Sequence, residues 1–174
     1  MTRGAAAAAV AALAAALGAG ALQSLPAAAD RGRLAVVEKR VIGYSVTGRP
    51  IRAWRLGDPE ARVTAVALAS MHGDEAAPRA ILEALRDGEP VRDIDLWVIP
   101  GANPDGFVRG QRQNARGVDL NRNFPRAWAP LDGAVESGPG PASEPETRAL
   151  MRFLRRVDPR FVVSFHQPMY GVDL

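Results

Sequence analysis

The sequence predicts an α/β sandwich, and three observations carry that expectation. Short apolar runs of strand length alternate with segments whose apolar residues recur at helical spacing, and glycine, proline and aspartate punctuate the joins. The chain is also long enough for one core of this layered kind. Residues 34–42 and 51–56, joined through Gly43-Tyr44-Ser45 and Thr47-Gly48-Arg49-Pro50, read as a β-hairpin that leads into the sheet. Residues 63–70 and 94–99 are compact apolar runs typical of strands buried on both faces. Between them Ala77, Ala80, Ile81, Ala84 and Leu85 share one helical face; Asp74 can cap the start, and Asp87-Gly88 ends the helix. A second helix opens on the capping box Ser143-Glu144-Pro145-Glu146, buries Ala149, Leu150, Phe153, Leu154 and Val157, and stops at Asp158-Pro159. Residues 161–165 form a last short strand, and residues 128–142, rich in Gly and Pro, a surface loop that either connects or touches substrate. There are no internal repeats.

Composition narrows the class further. Arg3, the apolar stretch 5–22 and Pro26-Ala27-Ala28-Ala29 make residues 1–29 a secretory signal peptide with cleavage expected before Asp30. An uncleaved anchor is the rival, because residues 5–22 approach the ~20 needed to span a bilayer, but alanine is only weakly apolar. Residues 30–174 then form one domain, exported to the cell envelope or beyond, that meets the membrane only through its signal and is expected to be a monomer. Lys39 is the single lysine among 22 basic residues, and a net charge of +3 dispersed along the chain argues against nucleic acid as a partner. The absence of cysteine excludes a disulfide framework and thiolate metal sites.

The two histidines stand out, since each ends a strand-like run. His72 opens His72-Gly73-Asp74-Glu75, and His166 follows Phe161-Val162-Val163-Ser164-Phe165. Two imidazoles and a carboxylate make a three-ligand zinc set that leaves a fourth position for water, which points to metal-assisted hydrolysis. Taken alone, His-x-x-Glu is a weak signal, because a histidine at a strand end is more often a hydrogen-bonded structural residue.

The segment between the histidines makes the signal specific. It holds Asn103-Pro104-Asp105-Gly106, then residues 109–116, then Gly117-Val118-Asp119-Leu120-Asn121-Arg122-Asn123-Phe124-Pro125. Over roughly residues 40–170 the chain resembles the M14 zinc carboxypeptidases, in which His-x-x-Glu, an Asn-Pro-Asp-Gly turn, Asp-x-Asn-Arg-Asn and a strand-end histidine occur in this order. The resemblance implies a three-layer sandwich with a mixed, mainly parallel sheet flanked by helices. It implies one zinc ion held by His72, Glu75 and His166, with Asp119 as the carboxylate that orients His72. Asn121 and Arg122 resemble the pair that grips a substrate's terminal carboxylate, a task that suits the paired donors of a guanidinium. An upstream arginine should face the anionic oxygen of the tetrahedral intermediate; Arg112 and Arg109 compete for this, with the Arg-x-Asn spacing favouring Arg112.

What the resemblance does not find is equally informative. The family's general-base glutamate and loop tyrosine belong well after the last zinc ligand; Glu136, Glu144 and Glu146 precede His166, and Tyr170 follows it too closely. The expectation is therefore the N-terminal part of a longer enzyme, inactive as it stands. Its substrate would be a peptide with a free C-terminal carboxylate, with a murein peptide as an attractive specialisation. Two rivals are an amidohydrolase of the aspartoacylase and succinylglutamate desuccinylase group and a non-catalytic module that only binds carboxylates. Asn-Pro-Asp-Gly, Asn123 and the signal peptide favour the peptidase.

Overall fold

Strand alternation builds a single five-stranded sheet in the computed structural model, which describes residues 35–167. The signal segment, Leu34 and Tyr170 lie outside the described residues. The elements are β1 (Val36–Tyr44), β2 (Pro50–Gly57), β3 (Thr64–Ala69), α1 (Ala76–Arg86), β4 (Asp95–Ile99), α2 (Pro104–Arg109), α3 (Pro145–Val157) and β5 (Phe161–Phe165). Short 3-10 turns lie at Leu120–Arg122 and Gly133–Val135. The strands run in the order β1-β2-β4-β3-β5. The pairs β1/β2 and β2/β4 are antiparallel, whereas β3 pairs in parallel with both β4 and β5, so the sheet is mixed. No described helix is long and apolar enough to cross a membrane.

The period of two along each strand divides the core between two faces. Val66 and Leu68 of β3, Trp97 and Ile99 of β4, and Ile51 and Ala53 of β2 join Ala149, Leu150 and Phe153 of α3. Ala65, Ala67 and Ala69 of β3, with Leu96 and Val98 of β4, face the other way and meet Leu82 and Leu85 of α1. Helices thus cover both faces, and the central strands read as unbroken apolar runs because neither face meets water. The alanines of β3 are a packing choice as well. Small side chains on its α1 face let that helix lie close to the sheet, and Gly43 does the same for α3, since a Cβ there would stand 2.4 Å from that of Ala149.

Four local expectations change. Asn103-Pro104-Asp105-Gly106 starts α2 instead of forming a free turn: the Asn103 side chain accepts from Gly106 N, and Pro104 sits in the first turn, where its missing N–H costs nothing. The capping box at Ser143 does not form. Glu144 is the N-cap residue of α3, without a side-chain cap, and the Ser143 hydroxyl donates to Glu144 Oε1 at 2.9 Å. Asp74 does not cap α1 either; Glu75 holds that position with its side chain turned to other partners. The first strand continues to Tyr44, two residues past its expected end, and pairs there with Pro50.

Two buried acids tie the β1–β2 turn to the rest of the fold. Glu146 of α3 accepts from Val46 N at 3.0 Å. Asp105 of α2, 1% exposed, accepts from Thr47 N at 3.0 Å and from the Thr47 hydroxyl, with Arg49 Nε 3.3 Å away. Burial pushes the Asp105 carboxyl up, but these donors outweigh it and hold it below the usual carboxylate range. A depressed carboxylate contributes stability above its unfolded pKa and loses it as pH falls through the folded one. Asp105→Asn should therefore cost roughly 1–3 kcal/mol at neutral pH. In urea denaturation series, the variant and parent midpoints should converge as pH is taken below ~4.

Candidate metal centre

The parallel pairing of β3 with β5 builds the site. Ala69 is in register with Phe165, so the carboxyl ends of the two strands lie side by side. His72 comes three residues after β3 and His166 immediately after β5, which brings two residues far apart in sequence to one sheet edge. Glu75 arrives with the start of α1. The turn between β3 and α1 is tight: Ser70, fully buried, adopts a left-handed φ of 51°, and its hydroxyl donates to Glu75 O at 3.1 Å.

The ligand atoms converge. Glu75 Oε1 lies 2.9 Å from His72 Nδ1, Glu75 Oε2 lies 2.9 Å from His166 Nδ1, and the two Nδ1 atoms are 3.2 Å apart. Three ligands at zinc-bond lengths of about 2.0–2.2 Å in tetrahedral array would stand about 3.3 Å from one another, so this set fits the ion with small adjustment. Among the described residues it is the cluster of histidine and carboxylate groups close enough to share a metal.

Behind it lies Asp119, fully buried, with Oδ1 3.2 Å from His72 Nε2. No hydrogen bond is completed across this contact, and His72 Nε2 is left without a partner. A metal on Nδ1 would fix the tautomer that puts the proton on Nε2, facing this carboxylate. Burial alone would lower the His72 pKa, yet the Asp119 and Glu75 carboxylates raise it above the ordinary imidazole value. Burial likewise pushes Asp119 up, and His72 and Arg112 outweigh it to hold the carboxyl low.

Asp119 has three clients. Its Oδ1 also accepts from Asn121 N at 2.9 Å, while Oδ2 accepts from Arg112 Nε at 3.0 Å and Nη2 at 2.8 Å. Arg112 therefore stands in contact with the metal cluster's supporting carboxylate. Arg109 ends α2 with its guanidinium exposed, 3.4 Å from Ala115 O, away from this network. Asn121 and Arg122 lie on the 3-10 turn after Asp119, both exposed, with Arg122 Nη1 3.3 Å from Asn121 O. The carboxylates of Glu136, Glu144 and Glu146 are engaged elsewhere, the first by Gly138 N and the other two by Asn114.

Sequence reasoning gave no structural role to three asparagines that the fold buries. Asn103 caps α2, Asn114 donates to Glu144 Oε2 at 2.8 Å and Glu146 Oε2 at 3.2 Å, and Asn123 donates to Ser137 O, Gly140 O and Ser143 Oγ. Burial is the main force that raises the Glu146 pKa, with Glu144 adding to it. Only Asn103 left a trace in the sequence: Asn before Pro is an N-cap signature. The partners of Asn114 and Asn123 are distant in sequence and leave none.

A mixed sheet with two imidazoles and a carboxylate gathered at its strand ends, the first imidazole backed by a buried carboxylate, is a candidate metal-dependent hydrolase centre. The profile of peptidase M14, the zinc carboxypeptidases, matches residues 31–170, and the chain belongs to this family. It is 39% identical over 146 residues to murein peptide amidase A of Escherichia coli K12, covering 75% of this chain and 60% of that protein. Its structure is similar to that of the murein-tripeptide amidase of Escherichia coli O157, with a TM-score of 0.67 at 35% identity over 85% of this chain and 68% of that one. Carboxypeptidase A of Helicoverpa armigera follows the same fold, with a TM-score of 0.64 at 25% identity over 78% of this chain and 42% of that one. The chain spans about 60% of the length of the murein amidases it matches.

His166 is partly exposed and outside both core clusters, so its removal tests the metal without emptying the core. His166→Ala should weaken zinc binding by more than the ~10–100-fold that loss of a supporting contact costs. Competition against a chromophoric chelator measures this. Zinc should also raise the melting temperature of the parent and not of the variant.

Proposed function

We propose that the chain serves a zinc-dependent peptidase that removes C-terminal residues from peptides, with cell-wall peptides as its substrate class. The convergence of His72, Glu75 and His166 on one metal-sized space, with Asp119 behind His72, carries this reading. The likeness to murein peptide amidase A supports the choice of substrate. One zinc ion, when bound, supplies Lewis-acid polarisation of the scissile carbonyl and lowers the pKa of a water molecule.

The chain's own residues supply the rest. Arg122 is exposed and charged, with most of its donors uncommitted, and takes the substrate's terminal carboxylate together with Asn121. Arg112 commits Nε and Nη2 to Asp119, which leaves Nη1 to face the oxygen that becomes anionic. Glu75 is committed to the two histidines and Asp119 to His72 and Arg112, so neither is free to take the water's proton. Arg109, with its Nη1 at Ala115 O beyond this network, is the less favoured of the two arginines for that role.

In enzyme that turns over peptides, Arg122→Ala should lose the preference for free-acid peptides over the same peptides amidated, because a bidentate pair is what tells them apart. Arg112→Ala should slow turnover of both substrates by a similar factor. A free-acid preference that survives Arg122→Ala would remove the carboxypeptidase reading and leave zinc hydrolysis standing.

We propose in addition that the protein is exported by residues 1–29. N-terminal sequencing of the mature protein should begin at Asp30, and an intact N-terminus would favour an anchor instead.

A further inference from the structure

We infer that Asn103 is a positioning residue for the metal centre: its buried carboxamide locks the turn that carries His72 and Glu75 onto the segment that carries Arg112. This rests on the zinc reading above, but its geometry stands apart from the ion. Asn103 is 0% exposed and uses every polar atom. Its backbone N donates to Ser70 O at 2.9 Å. Its Nδ2 donates to Met71 O at 3.3 Å and to Arg112 O at 3.2 Å, while Oδ1 accepts from Gly106 N at 2.9 Å.

One side chain thus joins three backbone segments, and the segments themselves are in contact. Gly73 N donates to the same Arg112 O at 3.1 Å. A Cβ at Gly73 would stand 2.0 Å from Gly106 C and 2.5 Å from Gln111 O, so nothing larger than glycine lets the metal turn and the Arg112 segment meet. Two donors and one acceptor on a short planar group are what the position asks for. Asparagine meets it; ionised aspartate donates nothing, and serine is too short to reach both carbonyls.

The consequence reaches both sides of His72. Ahead of it, Ser70 O and Met71 O are held by Asn103, which keeps Ser70 in a left-handed conformation that L-residues rarely adopt. Behind it, Arg112 is fixed by its carbonyl to Asn103 and Gly73, and its guanidinium holds Asp119 against His72 Nε2. Asn103 therefore sets the ligand turn and the supporting carboxylate in one register. In this chain the Asn-Pro-Asp-Gly motif thus supplies the brace for the His-x-x-Glu turn.

The test compares Asn103→Ser and Asn103→Asp in the full chain. Both residues are good helix caps, so both can still serve Gly106 N, and both lose the paired donation to Met71 O and Arg112 O. Zinc affinity should fall by about 10–100-fold in each, and the visible absorption spectrum of the cobalt-substituted protein should change shape. Val108→Gly, an exposed change in α2, is the control for general loosening of that helix and should keep the parent's zinc affinity and cobalt spectrum. Folded Asn103 variants that bind zinc and cobalt as the parent does would overturn the inference. If neither variant folds, amide exchange in the unaltered chain decides. Gly73 N–H should be protected in the metal-free protein as in the zinc-loaded one, and fast exchange without metal would show that the brace is not there before the ion. Failure of the unaltered chain to bind zinc would refute the zinc reading instead, with Gly73 protection still testing the brace.

Discussion

The parallel pairing of β5 with β3 is the constraint on which the site depends. A parallel pair puts both carboxyl ends on the same edge of the sheet, and the register of Ala69 with Phe165 sets their relative height. His166 leaves β5 where the turn from β3 delivers His72, so two residues separated by most of the domain share one space. An antiparallel partner would have sent the second histidine to the opposite edge. The buried apolar runs that form β3 and β4 are thus part of how the site is built, because burial on both faces fixes the register from which the candidate ligands project.

Around that edge the chain uses charge and amide groups where a core would normally use aliphatic ones. Asp119 is buried without loss because His72, Asn121 N and Arg112 surround it, and Asp105 because the Thr47 and Arg49 donors reach it. Buried and fully satisfied polar groups accept one arrangement of their neighbours and penalise others by the desolvation of whichever partner is left alone. Such groups cost more to bury than leucine, and what they contribute is position. The asparagines serve the same purpose without charge. Asn103 braces the ligand turn, Asn123 gathers the loop at Ser137 and Gly140, and Asn114 links the Arg112 segment to the buried acids at the start of α3.

The arginines illustrate how chemistry divides between residues of one type. Arg109, Arg112 and Arg122 lie within a short stretch, yet only Arg112 is drawn inward, by the buried carboxylate of Asp119. Arg122 stays in solvent on a 3-10 turn whose start is capped by that same carboxylate. One acid thereby sets the places of a metal ligand, an inward arginine and a segment suited to substrate.

By itself the sequence determined the class of fold, both main helices, the strands and the candidate metal set, because each of these is written locally. Period-two and helical patterns come from side chains within a few residues of one another, and His-x-x-Glu, Asp-x-Asn-Arg-Asn and the strand-end histidine are short enough to be read as strings. Only the tertiary structure decided between Arg109 and Arg112 as the arginine joined to Asp119, since a guanidinium goes to whichever buried carboxylate the fold places within its reach. It also turned Asn-Pro-Asp-Gly from a turn into a helix start and left the capping box at Ser143 unmade, because that hydroxyl accepts from Asn123 across the fold and donates to the neighbouring Glu144. The brace at Asn103 was invisible for the same reason: its partners at Met71 and Arg112 become neighbours only after three backbone segments have packed against one another.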